Sequence, residues 1–283
     1  MATYRYVVAD VFTSTPLQGN PVAVFTDARG LDEPTMQALA LELNLSESVF
    51  VLPPEQGGHA RIRIFTPRSE LPFAGHPTLG TAFVLGQPLQ LGVITLETGK
   101  GLVPVVLERD ERGGIAFGRM TQPVPRIEPV GAVPFLAALR LEVEPTLPVE
   151  RYDNGAVHVL VGLADEQAVA GVSPDFAALA EVGGTGVAVF GGSGASWTAR
   201  MFAPGVGVPE DPATGSMAGP LACHLCRHGV VEWGREIVIS QGAAIGRPST
   251  LHARAEGGDG LIDAVEVGGS AVVVARGEFR LRT

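Results

Sequence analysis

The feature that most constrains the fold of this chain is a proline-containing motif that occurs twice, at residues 65–78 and 202–216. Phe65 and Phe202 lie 137 residues apart, and the two prolines that follow each phenylalanine keep that spacing. Each copy predicts an extended segment, a turn and then a helix of small residues. Such a helix start presents backbone N–H groups that the helix leaves unsatisfied, which suits an anion. We therefore expect one anionic ligand to be held between two similar lobes.

A second pair of segments repeats in the same order along the chain. Residues 34–40 resemble residues 174–180 at a spacing of 140, and each segment predicts a short helix with a proline in its first turn. Val49 falls opposite Val189 at the same spacing. Matching segments in one order indicate a duplicated pair of lobes rather than a solenoid of many units.

The composition predicts a globular protein with a packed core. Of the 283 residues, 46% are hydrophobic and 18% are charged, a length that suits two lobes. The net charge of −10 argues against nucleic acid or an anionic membrane as the main partner, because phosphate binding requires clustered Lys and Arg. A small anion is not excluded, since a helix start can bind one locally.

The N-terminus does not predict a signal peptide, and no apolar run approaches the roughly 20 residues of a membrane helix. The 2 cysteines cannot form a disulfide framework. We expect a cytoplasmic protein in a reducing compartment.

Short strands of alternating apolar and polar residues dominate the pattern and predict an α+β fold. The predicted strands cover residues 5–12, 22–25, 48–52, 59–65, 92–98, 102–108, 115–119, 156–161, 186–190, 197–202, 236–240, 251–255, 261–267 and 271–278. The proline-rich residues 122–134 lack periodicity and are interpreted as the connection between lobes. We expect an N-terminal lobe at 1–120 and a C-terminal lobe at 121–283, with the last strand able to pack back on the first lobe.

The helices that follow the two motif copies are apolar on nearly every side. Leu79, Ala82 and Phe83 follow Pro77, and a similar run extends from Met217. A helix of this kind is buried all round. A curled antiparallel sheet around each helix would bury it in this way.

Together, five sequence blocks resemble the phenazine biosynthesis PhzF-like isomerase family. The blocks are Asp-Val-Phe-Thr at 10–13, Gly-Asn-Pro at 19–21, Asn-Leu-Ser-Glu at 44–47, Gly-His-Pro-Thr at 75–78 and Glu-Asp-Pro-Ala-Thr-Gly-Ser at 210–216. The resemblance covers essentially the whole chain. It implies a diaminopimelate-epimerase-like fold of two pseudo-symmetric lobes, each a barrel-like, mostly antiparallel sheet around a central helix. It also implies a homodimer and a cofactor-independent isomerase that moves a proton on a small cyclic carboxylic acid, as the family's trans-2,3-dihydro-3-hydroxyanthranilate isomerase does.

The same resemblance implies the site residues. Glu47 matches the family's general acid/base, and His76 and Asp211 match two further catalytic residues. The residues matched to substrate binding are Gly75, Gly215 and Ser216. The resemblance implies neither a metal nor a cofactor.

Glu47 lies between an amphipathic helix and the strand at 48–52. A carboxyl group in a partly dry cleft can take and return a proton if burial raises its pKa towards the working pH. The structural alternative is a surface glutamate at a junction or a helix cap. In an ungapped alignment of the two halves, Glu47 falls opposite Val187, so that only one half carries the acid.

The other candidate residues lie at or near the two helix starts. The helix dipole is expected to lower the pKa of His76 and keep its imidazole neutral. Asp211 precedes Pro212, a pattern typical of an N-cap with proline at the first helical position, which leaves both a capping and a substrate-binding role open. Ser216, with the N–H groups of Gly215 and Ser216 itself, is expected to meet a substrate carboxylate.

Asp10 and Asn20 could line the cleft or fix the first hairpin, and the turn position before a proline favours the hairpin role for Asn20. Cys223, His224, Cys226 and His228 lack a second ligand pair at zinc-site spacing, so we interpret them as part of a buried helix. The glycines at 183–184 and 191–194 do not form a dinucleotide-binding fingerprint and predict hairpin turns.

Two alternative functions remain open from the sequence. The chain could be a non-catalytic protein that binds small anions. It could also be an amino-acid epimerase or racemase, but that chemistry in this fold uses a cysteine at each helix start. Here Ala74 and Asp211 stand at those positions in the ungapped alignment.

Overall fold

The computed structural model describes residues 2–182 and 186–281 of the chain. The chain forms two compact units, one of residues 1–121 with 268–283 and one of residues 122–267. Among the described residues, no helix is both long and apolar enough to cross a membrane.

The first unit is built mainly from short strands and two helices. Its strands are β1 (Ala2–Val11), β2 (Asn20–Phe25), β3 (Glu47–Leu52), β4 (Ala60–Phe65), β5 (Glu70–Leu71), β6 (Val93–Thr98), β7 (Gly101–Arg109) and β8 (Ile115–Gln122), whose last residue belongs to the second unit. Its helices are α1 (Glu33–Leu43) and α2 (Gly75–Leu89).

The second unit has more helices, and three of them are short. Its strands are β9 (Arg126–Pro129), β10 (Glu150–Asp153), β11 (Val157–Gly162), β12 (Gly186–Ser193), β13 (Ser196–Ala203), β14 (Val208–Asp211), β15 (Ile237–Gln241), β16 (Ser249–Gly258) and β17 (Leu261–Gly269), whose last two residues belong to the first unit. Its helices are α3 (Val133–Leu139), α4 (Glu166–Ala170), α5 (Phe176–Glu181) and α6 (Gly215–Arg227). The last strand, β18 (Ala271–Leu281), pairs antiparallel with β1 in the first unit.

The strand pairings confirm the predicted duplication. In the first unit β1–β2, β3–β4, β4–β5 and β6–β7 pair antiparallel, while β2–β3 and β4–β6 pair parallel. In the second unit β10–β11, β12–β13, β13–β14 and β15–β16 pair antiparallel, while β11–β12 and β13–β15 pair parallel. Both units therefore have the same order of pairings, and most of the pairings within each unit are antiparallel.

The two long apolar helices are buried, as their sequences predict. Every residue of α2 from Gly75 to Phe83 is buried, and the helix packs against β1, β2, β3, β6, β7 and β18. Every residue of α6 from Gly215 to Cys226 is buried as well. The close packing of α2 requires glycine at position 80, because a Cβ there would lie 2.7 Å from Cγ1 of Val22.

Aromatic packing fixes the strand that begins with Glu47. Phe25 of β2 and Phe50 of β3 stack with their ring centroids 4.7 Å apart. Phe65 of β4 meets Phe50 edge-on at 5.4 Å. Such aromatic pairs stabilise a core beyond the area they bury, and here they hold three adjacent strands in register.

Three local predictions from the sequence are wrong in detail. Pro174 precedes the N-cap residue Asp175 of α5 and so lies outside that helix. Residues 122–134 are not only a connection, since they contain β9, which pairs with β10. Gly191 and Gly192 belong to β12, and the hairpin turn falls at 194–195. The turn predicted at 183–184 lies outside the described residues.

Candidate active site

The local sequence places Glu47 at the start of β3. Helix α1 ends at Asn44, a residue type that tolerates the left-handed backbone found there (φ 49°), and its N–H bonds the carbonyl of Ala40. The chain then enters β3, where Glu47 pairs with Val22 of β2. The Glu47 side chain is only 13% exposed.

His76 lies beside Glu47. It is the second residue of α2, its side chain is 3% exposed, and its Nε2 lies 3.3 Å from Oε2 of Glu47. On the other side of the ring, Nδ2 of Asn20 lies 3.2 Å from Nδ1. Because an amide nitrogen donates, this contact assigns the ring proton to Nε2, the atom that faces the carboxylate.

The imidazole of His76 is neutral near pH 7. Burial lowers its pKa to about 3, against a smaller upward effect of the Pro21 carbonyl. The predicted neutral state is confirmed, with burial as its main cause. Asn20, for which the sequence favoured a role in the hairpin, pairs with Val11 there and also contacts this ring.

Asp10 fixes the first hairpin of the first unit. The carboxylate is buried, and its Oδ2 accepts a hydrogen bond of 2.7 Å from the backbone N–H of Leu17. Leu17 and Gly19 both have positive φ, at 68° and 67°. Of the two roles that the sequence left open for Asp10, lining the cleft or fixing the first hairpin, the structure therefore supports the hairpin role.

Asp211 does not cap the following helix, which corrects the N-cap interpretation. It is the last residue of β14, and the N-cap residue of α6 is Thr214. The Thr214 hydroxyl donates to Oδ2 of Asp211 at 2.6 Å. Gln241 bridges the same turn, donating to the Asp211 carbonyl at 2.8 Å and accepting from the Thr214 N–H at 3.1 Å.

This geometry also corrects the alignment of the two halves. The N-cap residues are Ala74 in α2 and Thr214 in α6, so three residues are inserted between the repeated phenylalanine and the second helix. Position 76 therefore corresponds to Ser216, and Ala74 does not correspond to Asp211. The ungapped comparison of Ala74 with Asp211 was wrong.

Ser216 contacts a histidine that sequence reasoning missed. Its Oγ lies 3.0 Å from Nε2 of His158 on β11, and both residues are buried. Burial lowers the pKa of His158 to about 4, against an upward effect of Asp153, so this imidazole is neutral as well. The sequence feature that could have identified His158 is that it is the single polar residue in the apolar run of β11.

Two amide side chains hold the start of α6. Nε2 of Gln122 donates to the Gly215 carbonyl at 2.8 Å, and Nδ2 of Asn154 donates to the Ser216 carbonyl at 2.9 Å. The second bond replaces one the helix lacks, because Pro220 has no N–H to donate four residues back. Neither amide is marked by a sequence motif.

Each long helix begins with a feature suited to an anion. Neither α2 nor α6 has an acidic residue in its first turn, and neither N-cap side chain bonds the helix. The N–H groups of Gly75 and His76 and those of Gly215 and Ser216 stand at these starts, where a helix supplies no acceptor. The candidate substrate-binding glycines therefore lie where the sequence placed them.

The cysteines lie farther along α6 and are not poised for acid/base chemistry. Burial raises the pKa of Cys223 to about 12 and that of Cys226 to about 11, so both remain thiols at neutral pH. Both follow the helix start by more than one turn, which gives no support to an epimerase built on paired cysteines.

His224 of α6 and the C-cap residue His228 join a largely buried cluster around Glu150. One oxygen of that carboxylate, Oε2, lies 3.1 Å from Nδ1 of His224 and 3.2 Å from Nε2 of His228. The three possible metal-ligand atoms lie within 4.8 Å of one another. The same oxygen also accepts hydrogen bonds from Tyr152 at 2.8 Å and from Arg227 at 2.7 Å. Because the guanidinium already neutralises the carboxylate, we interpret the cluster as structural.

Comparisons with known proteins extend over nearly the whole chain. A family model described as phenazine biosynthesis-like protein matches residues 9–277. The trans-2,3-dihydro-3-hydroxyanthranilate isomerase of Pseudomonas aeruginosa is 51% identical over 279 residues, covering 98% of this chain and 100% of that enzyme. The enzyme of the same name from Pseudomonas fluorescens is 48% identical with the same coverage. A solved phenazine biosynthesis protein of the PhzF family from Bacillus anthracis has a TM-score of 0.85 and 25% identity, covering 99% of this chain and 100% of that one.

Proposed function

The chain belongs to the PhzF family of phenazine biosynthesis-like isomerases, and from this premise we propose that it isomerises trans-2,3-dihydro-3-hydroxyanthranilate with Glu47 as the general acid/base. The observation that carries the proposal is the contact of the buried Glu47 carboxylate with the neutral imidazole of His76, Nε2 to Oε2 at 3.3 Å. The relatives at 51% and 48% identity support the substrate, because they match this chain over their full length.

The reaction requires one group to remove a proton from a ring carbon and return it at another, while the double bonds shift. The Glu47 carboxylate takes the proton, becomes the carboxylic acid and gives the proton back, so that no oxidant or reductant is needed. The Nε2 atom of His76 faces the carboxylate at 3.3 Å and limits the positions that the carboxylate can take. Since His76 is neutral, it adds no full positive charge that would hold Glu47 in its ionised form.

The substrate carboxylate binds at a helix start in this proposal. The N–H groups of Gly215 and Ser216 and the Ser216 hydroxyl supply the donors, and each charge-assisted bond contributes about 1.5–3 kcal/mol. Gly75 supplies a corresponding N–H at the start of α2. Asp211, held by Thr214 and Gln241, serves as a catalytic partner for the substrate's amine or hydroxyl.

Replacing the acid tests the proposal. Glu47→Gln removes the proton carrier but keeps the shape of the side chain, so we expect turnover to fall by at least about 10³-fold while 3-hydroxyanthranilate still binds. Absorbance of the dihydro substrate measures turnover, and calorimetry measures binding. Glu42→Gln, on the exposed face of α1, is the matched control and should keep the wild-type rate. A Glu47→Gln enzyme that turns over at nearly the wild-type rate would exclude Glu47 as the acid/base.

The proposal also includes a homodimer that acts in the cytoplasm without a cofactor, as the family resemblance implies. Sedimentation velocity should give a dimer at micromolar concentration, and dialysis against EDTA should leave turnover unchanged. A monomer, or activity restored only by an added metal ion, would contradict these parts of the proposal.

A further inference from the structure

The corrected alignment shows that the two units place different polar groups against the second residue of their long helices. Phe65 pairs with Ser48, and the equivalent Phe202 pairs with Val187. One residue earlier on each strand stand Glu47 and Gly186. The acid of the first unit therefore corresponds to a glycine in the second, not to Val187 as the ungapped alignment suggested.

The His158 ring occupies the space beside Gly186. These residues are paired on neighbouring strands, and a Cβ at position 186 would lie 2.9 Å from Nδ1 of His158. In the first unit the residue paired with Glu47 in the same way is Val22, which is apolar. In the first unit the second helical residue, His76, is contacted by Glu47 of β3 and by Asn20 at the start of β2. In the second unit the equivalent residue, Ser216, is contacted by His158 of β11.

The environment of His158 indicates which ring nitrogen carries the proton. The ring is 3% exposed, and its Nδ1 has no hydrogen-bond partner among the residues that the structure describes. A buried N–H without an acceptor is rarer and more costly than a bare lone pair, so the proton belongs on Nε2. That nitrogen then donates to Oγ of Ser216 at 3.0 Å, and the Ser216 hydroxyl keeps its own proton for another acceptor.

We propose that His158 is a positioning residue that donates from Nε2 to Ser216 and thereby presents the Ser216 hydroxyl as a donor to the substrate carboxylate. The proposal rests on the proposed function, because Ser216 and the adjacent N–H groups are the carboxylate site there. In the opposite tautomer, Nε2 would accept a hydrogen bond from the Ser216 hydroxyl. The Ser216 oxygen would then face the substrate carboxylate with a lone pair rather than with its proton. Burial keeps the pKa of His158 at about 4, so the same neutral donor persists over the physiological pH range.

The kinetic test compares His158→Leu, which removes the donor, with His158→Gln, which retains an amide donor of similar reach. For His158→Leu we expect KM for trans-2,3-dihydro-3-hydroxyanthranilate and Kd for 3-hydroxyanthranilate to rise about tenfold or more, with kcat changed less than threefold. His158→Gln should recover most of the affinity. His252→Gln, a more exposed histidine of the same unit, should bind as the wild type does.

A double-mutant cycle separates positioning from a general effect on packing. If His158 acts through Ser216, then Ser216→Ala combined with His158→Leu should weaken binding no more than Ser216→Ala alone. Independent, additive losses would overturn the proposal, and so would wild-type affinity in His158→Leu. Urea unfolding of each variant identifies those that do not fold, and these are excluded from the cycle.

Side-chain ¹⁵N NMR of the wild-type protein tests the tautomer without any substrate and without any variant that must fold. We expect a protonated Nε2 and a bare Nδ1 for His158 at pH 7, and the reverse assignment would overturn the proposal. Failure of the wild-type protein to bind or convert the dihydro substrate would instead overturn the proposed function, and the NMR result distinguishes the two failures.

Discussion

His76 is a buried imidazole whose charge state controls its contact with Glu47. An exposed histidine titrates near pH 6.5, in the range where most enzymes work. Burial moves the pKa of His76 to about 3, and the donor at Nδ1 comes from the neutral amide of Asn20. The Glu47–His76 contact is therefore a 3.3 Å approach of a carboxyl group to a neutral ring rather than an ion pair.

We expect the His76 ring to remain neutral from pH 8 down to pH 5. Its lowered pKa means that protonation begins only near pH 4 and is half complete at about pH 3. Two-dimensional NMR of the ring nitrogens, assigned by the signal lost in His76→Asn, measures the titration. A protonation step near pH 6.5 would show that the ring is not desolvated as the structure describes.

Sequence reasoning singled out the candidate site residues that belong to contiguous motifs and missed the side chains that contact the start of α6 from distant positions in the chain. Glu47, His76 and Ser216 lie in short blocks at helix and strand starts, so their types and spacing are visible along the chain. His158 and Asn154 reach α6 from 58 and 62 residues away and carry no motif. Their contacts depend on strand register, which periodicity alone does not provide.

Most strands were predicted because alternation and turn residues mark them locally. The short strands β5, β9, β10 and β14 were missed, and the start of α6 was not predicted correctly. A proline after an aspartate is a common helix start, but here Asp211 ends β14 and hydrogen bonds in the turn shift the start to Gly215. Helix α6 also contains Pro220, which deprives the Ser216 carbonyl of its helical donor. A side chain from outside the helix has to compensate.

We expect Asn154→Leu to lower the free energy of unfolding by about 1–3 kcal/mol, because the buried Ser216 carbonyl loses the donor that replaces the missing N–H. Adding Pro220→Ala should restore part of this loss, since alanine supplies the helical N–H itself. Urea titration at pH 7.5 measures both effects. Equal losses in the single and the double variant would show that the amide does not act by satisfying this carbonyl.

Across the whole molecule, buried neutral histidines link stability to pH. Burial lowers the pKa of His76 to about 3 and that of His158 to about 4, and it also lowers the pKa of His224. The unfolded chain takes protons on these rings below about pH 6.5, and the folded chain does not. Glu150 acts in the same direction. Burial alone would raise the pKa of this carboxyl group, but its hydrogen bonds, led by the one from His224, lower that pKa overall. The stabilisation that the ionised Glu150 provides is therefore lost when acid protonates it.

The free energy of unfolding should therefore fall steadily from pH 6.5 to about pH 4, well before most carboxylates are protonated. Each pKa unit of depression corresponds to about 1.4 kcal/mol, so His158 alone accounts for a loss of at most about 3 kcal/mol over this range. His158→Gln removes that titrating ring, and its stability curve should be flatter than that of the wild type by this amount. Urea midpoints at half-unit pH steps measure the two slopes. Parallel curves would mean that the His158 ring titrates alike in the folded and unfolded chain, and that its burial does not contribute to the acid sensitivity of the protein.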